Sequence, residues 1–155
     1  MARSLHLLAA CVVIAGCGGN DRLGPDEYRR DAAPPVKDAA AAIVQLGIAI
    51  SRAPAPALGA SRLELLRQRL QDASARLDEL SPPAEIEDAH DSLVEALASL
   101  AEVTKEYDDE LAVELEDYER LTTFPQELSA TPAARGITEA LRTLDREGYD
   151  LLGSG

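Results

Sequence analysis

The sequence predicts an all-α protein: an up-down bundle of three to four helices built on one long central helix at about 83–120. Three observations carry this. No run of the chain alternates apolar and polar residues as a half-buried strand does. Ser81-Pro82-Pro83 opens a stretch that reaches Arg120 without another Pro or Gly, with Ile86, Leu93, Leu97, Leu100, Tyr107, Leu111, Leu115 and Tyr118 at helical spacing. As one helix it would be roughly 55 Å long, about twice any other candidate. Finally, Leu63, Leu66, Leu70, Ala73, Leu77 and Leu80 alternate three and four residues apart, a seam suited to antiparallel packing at a shallow angle.

Taken in order, the chain begins with an address. Met1–Ser4 carries one positive charge, at Arg3, and Leu5–Ala15 is apolar apart from His6. Eleven residues are too few to span a bilayer, which needs about 20, and suit the apolar region of an export signal. Ile14-Ala15-Gly16-Cys17 follows directly. This resembles the lipobox of bacterial lipoproteins: an aliphatic residue, two small ones and a cysteine. The resemblance implies cleavage between Gly16 and Cys17, with Cys17 acylated as the first mature residue and the protein held at the extracytoplasmic face of a membrane. Leu8-Ala9-Ala10-Cys11 also fits the short pattern, but cleavage there would leave too short an apolar region. The bland alternative is a hydrophobic start with a buried structural cysteine. On the lipoprotein reading Cys11 is discarded and Cys17 is acylated. No thiol then remains for disulfides, thiolate metal sites, nucleophiles or haem attachment.

Residues 17–33 are expected to be the acylated cysteine and its tether, and 34–155 the bundle. Gly18–Gly24 has no period and reads as flexible coil reaching about 15 Å. Pro25-Asp26-Glu27 looks like a short helix start, which Pro34-Pro35 should break or kink because a residue before Pro avoids the α region. A first full helix then runs from Pro35 to about Ser51, with Gly47 either costing it roughly 1 kcal/mol or marking a close helix crossing. Ser61 and Glu64 have capping-box spacing, so the next helix should start there. Leu121–Thr131 reads as a loop or helical turn. Thr131-Pro132 caps a last helix through about Leu152, which should return along the second half of the long helix, Thr104–Arg120.

Acids outnumber bases 28 to 15, a formal charge of −13. Losing Arg3 with the leader takes it to −14. Such a surface repels phosphate backbones and disfavours free adsorption to anionic lipid, so no nucleic-acid partner is expected. With no Trp, one Phe and four Tyr, the core must come from Leu, Ala, Ile and Val.

Two clusters deserve chemical scrutiny. Glu87-Asp88-Ala89-His90 contains Glu-x-x-His, half of a carboxylate-bridged di-iron motif. The second half cannot exist, because His90 is the only histidine outside the leader. Glu87 and His90 therefore stand as weak metal candidates against a simpler reading, a helix N-terminal His satisfied by a neighbour. The second cluster, Glu106, Asp109, Glu110, Glu114 and Asp117, lies in an acidic run relieved by Lys105 alone. It could dock a basic partner, hold a cation, or be a solvated face matched by Arg135, Arg142 and Arg146. Carboxylates fanned along a rigid helix do not converge as calcium requires. The sequence holds no paired nucleophile and base and no phosphate loop, so neither an enzyme nor a cofactor is expected. The expected role is protein interaction or service as an envelope accessory, with small-ligand or cation binding as the alternative.

Leu77-Asp78-Glu79-Leu80-Ser81-Pro82-Pro83, followed by Ile86 and His90, resembles a pattern in uncharacterised Ala-rich helical lipoproteins and secreted proteins of actinomycete-type bacteria. The resemblance implies a helix end, a double-Pro turn and a helix start, and brings no activity with it.

Overall fold

The computed structural model describes residues 22–52, 56–113 and 118–153, with side chains described outside 51–60 and 110–122. The described residues form five α-helices: α1 Pro25–Arg52, α2 Pro56–Asp78, α3 Glu87–Val113, α4 Tyr118–Ser129 and α5 Pro132–Arg146. A 3-10 turn, Ala84–Ile86, leads into α3. The all-α class holds. α2 packs between α1 and α3, and α5 packs on the other side of α3. α1, α2, α3 and α5 thus run up, down, up and down, and α4 closes the end remote from the Ser81–Pro83 turn. Tyr28, Val36, Leu46, Leu63, Leu70, Leu77, Leu93, Leu100 and Leu144 belong to one continuous core. Each such side chain contributes about 1.5–3 kcal/mol by leaving water.

Several expectations need correction. Pro34 and Pro35 do not break the first helix: α1 runs through both for 28 residues. Each proline removes an amide from the helical ladder, which costs about 3 kcal/mol in isolation. Tyr28 and Ala32 before the pair, and Val36, Ala39 and Leu46 after it, share one buried face. A break would expose half of that face, so packing overrides the local preference. The bundle therefore starts about ten residues earlier than expected, and 25–33 belong to it rather than to a tether.

Gly24 precedes the first turn of α1, and the Glu27 carboxylate accepts from its backbone N–H at 3.1 Å. That one-sided cap, with Pro25 at the first helical position, is the start signal in use. The corresponding signal at Ser61 is not used. α2 starts at Pro56, and Glu64 instead accepts from Arg67 and Gln68. The Leu63–Leu77 seam is buried as expected.

The central helix is shorter than expected. α3 covers 27 residues to Val113, and a separate α4 of 12 residues begins at Tyr118, with Pro125 inside it where a loop or turn was expected. Phe124 and Leu128 bury their side chains over the bundle end, and the Phe124 and Tyr107 ring centroids are 4.1 Å apart.

α5 starts as expected, with Thr131 Oγ1 accepting from the Ala134 amide at 3.1 Å. It ends at Arg146, six residues early. Gly148 takes φ +88°, the Gly148 amide donates to Asp145 O and the Tyr149 amide to Leu144 O. These two bonds satisfy the last carbonyls in a Schellman cap. α5 lies along the first half of α3, not the second: a Cβ on Gly136 would approach Ala96 Cβ to 3.2 Å, and Tyr149 reaches Glu85. The early helix end is what allows that reach.

Candidate functional site

The segments before α1 and after α5 meet at the α2–α3 turn. The Leu23 amide donates to Ser81 O at 2.8 Å, and Arg22 Nη1 donates to Pro82 O at 3.1 Å. Arg22 Nη2 also bridges both carboxylate oxygens of Glu87 at 2.9 Å. From the other terminus, Tyr149 Oη donates to Glu85 Oε1 at 2.8 Å. Between them lies Tyr28, fully buried, its hydroxyl 2.9 Å from His90 Nδ1. The Tyr28 ring meets those of His90 and Tyr149 edge-on, each at a centroid distance of 5.6 Å.

The electrostatics describe a neutral interior. Burial pushes the His90 ring below its ordinary pKa; Asp91, Asp78 and a hydrogen bond to the Leu77 carbonyl oppose this without reversing it. A neutral ring accepts the Tyr28 hydroxyl proton at Nδ1. Burial, then the neighbouring Tyr149, raises the Tyr28 hydroxyl far above its ordinary value. Tyr149 is pushed up to about 12 by burial and by its bond to Glu85. Glu85, held by its own backbone amide and by Tyr149, sits below the usual carboxylate range.

The structure does not bring Glu87 and His90 together as ligands. Glu87 turns outward to Arg22, whereas His90 turns inward at 2 % exposure. They lie three residues apart on α3 but on opposite sides of the clasp. Among the described residues no three His, Cys, Asp or Glu side chains gather as a metal-ligand set. Tyr28, Tyr149, Glu85 and Arg22 are joined by no local spacing in the sequence. Gly148, near the end of an otherwise periodic segment, was the available signal for the turn that returns Tyr149.

On the acidic face, Glu106 and Asp109 are exposed on α3, and Lys105 Nζ donates to Asp109 at 2.6 Å. Glu110 belongs to α3, but its side chain lies outside the described residues, as do Glu114 and Asp117 entirely. Arg135, Arg142 and Arg146 do not answer this face, because α5 lies against the other half of α3. Arg135 donates to Ala130 O, and Arg146 to Thr143 Oγ1. The nearby cation is instead Arg67 of α2, which Glu102 and Asp108 both stabilise. Burial, then Glu64 and Asp109, raises the Asp108 carboxyl, with Arg67 opposing.

A third feature is an apolar groove of about 240 Å³ between the far ends of α1, α4 and α5. Ile43, Leu46, Leu100, Leu128 and Ile137 line it, with Ser129 and Thr138 as its polar groups. Gly16 and Cys17 lie outside the described residues.

No family model, curated protein or solved structure matches this chain.

Proposed function

We propose that the protein is a lipoprotein, acylated at Cys17, whose helical bundle stands outside the cytoplasmic membrane and engages another envelope protein rather than catalysing a reaction. The observation carrying this reading is Ile14-Ala15-Gly16-Cys17 behind an eleven-residue apolar stretch. Its support is that only four residues separate Cys17 from Arg22, the first described residue, which is already clasped to the bundle. Two or three acyl chains, each buried methylene worth about 0.8 kcal/mol, would anchor it stably. The exposed acids Glu102, Glu106 and Asp109 suit a basic partner surface.

Cross-linking and pull-down from intact membranes, comparing wild type with Cys17→Ala, tests both parts. The wild type is expected in the membrane fraction with a partner, and the variant in the soluble fraction without it. An unmodified Cys17 in the wild-type peptide mass would overturn the anchor. The apolar groove favours a second reading, a small-ligand-binding lipoprotein. A thermal-shift screen with apolar solutes and metal ions separates the two: a rise of several degrees with one compound supports ligand binding, and a flat screen the protein partner.

A further inference from the structure

We propose that the outer face of α1 lies against the lipid surface, making the bundle recline on the membrane through a defined stripe rather than hang from a loose tether. This rests on the lipid-anchor reading above. The face is built from Arg30, Lys37, Ala41, Val44 and Ile48, all exposed and spaced to fall on one side of a helix. Val44 is 60 % exposed and Ile48 44 %, the two large apolar side chains of α1 that the bundle leaves in water. In a chain of charge −13, no acid falls on the stripe between Arg30 and Ile48.

Three observations point to lipid. The tether ends at the start of this helix: five residues from Cys17 to Arg22 span at most about 18 Å. The clasped end of the bundle, where α1 begins beside the α2–α3 turn, is therefore held near the bilayer, which raises the effective concentration of the stripe at the surface. Next, the stripe carries Lys37 in its anchored half, where Arg30 is already paired with Asp31, and apolar side chains in its far half. That suits a helix lying in the interface, where long basic side chains reach phosphate while branched apolar ones enter the acyl boundary. A second copy of the chain fits less well, since pairing two such stripes would put Lys37 among apolar side chains or against another cation. Finally, the inner face of α1 is the bundle core, which leaves only the outer stripe for lipid. The net negative charge opposes free adsorption, so contact depends on the tether.

The test imposes that tether. All the described core residues lie between Tyr28 and Leu151, so Gly18–Gly155 retains the described core. It carries an amino-terminal hexahistidine and is bound to phosphatidylcholine–phosphatidylglycerol vesicles containing nickel-chelating lipid. The chain after Cys17 has no cysteine, so Val44→Cys, Ile48→Cys and, on the exposed side of α3, Glu95→Cys each give a single site for an environment-sensitive dye. Dye at 44 and 48 is expected to shift to the blue and to be quenched by a lipid-borne quencher, while dye at 95 stays aqueous. In a second protein, dye on Ala41→Cys should lose its quenching when Val44→Asp and Ile48→Asp are added, with circular dichroism unchanged. Removing two partly buried branched side chains should weaken surface contact by more than about tenfold.

Dye at 44 and 48 behaving like dye at 95 would overturn the proposal. So would a blue shift that appears without vesicles and grows with protein concentration, which would assign the stripe to a second copy. The imposed tether makes these outcomes independent of whether the cell acylates Cys17, which the peptide mass decides separately.

Discussion

At the scale of single residues, the centre of gravity is the Tyr28–His90 contact. Tyr28→Phe keeps the ring packing but leaves His90 Nδ1 without its donor in a site 2 % exposed. An unsatisfied buried polar atom costs about 1–3 kcal/mol, and the loss is measurable by denaturant titration at pH 7.5. The same residue predicts a pH dependence. Burial holds the folded-state pKa of His90 below its ordinary value of 6.5, so the unfolded chain binds the proton first. The contribution is complete above pH 6.5 and is lost as pH falls from there toward the lowered folded-state pKa. Melting temperature should therefore drop from pH 7.5 toward pH 5, and His90→Gln should flatten that segment of the curve. His90 was read from the sequence as a helix N-terminal histidine satisfied by a neighbour, and that is how it sits. Its partner was not legible, since 62 residues separate the two and no local spacing encodes a tertiary hydrogen bond.

At the scale of elements, two helical glycines separate propensity from packing. A Cβ at Gly47 would meet nothing within 4 Å, so this glycine marks no close crossing. Gly47→Ala should stabilise the protein by about 0.5–1 kcal/mol, because it reduces the entropy of the unfolded chain without a clash. Gly136 is the opposite case, with Ala96 Cβ 3.2 Å from where a Cβ would stand. Gly136→Val should destabilise by about 1–3 kcal/mol as α3 and α5 are forced apart. Parallel urea titrations of the two variants should move in opposite directions. Element existence was largely readable, since the Leu63–Leu77 seam and the Thr131-Pro132 cap both lie within a single helix. Boundaries were less so. Pro34-Pro35 carries a local signal that the buried face of α1 overrules, and α2 starts five residues before the Ser61 box.

At the scale of the molecule, charge and shape act together. Acids exceed bases by thirteen, and the described ion pairs, such as Arg22–Glu87 and Arg67–Glu64, relieve only part of that excess. Self-repulsion at low ionic strength should therefore lower stability. Raising sodium chloride from about 10 to 150 mM shortens the screening length from about 30 to 8 Å. The melting temperature should rise across that range; a fall would mean that the ion pairs outweigh the repulsion.

The sequence by itself determined the helical class and the inward side of its main helices. These follow from residue type and from spacings of three and four within one segment, which act over a few ångströms along the chain. Only the tertiary structure decided that α5 lies on the first half of α3 and that Tyr149 returns to Tyr28 and Glu85. It also decided that Arg22 clasps the α2–α3 turn and that α1 survives its prolines. Those outcomes depend on which buried faces meet across forty residues or more, where the gain from burying a shared core outweighs any local signal.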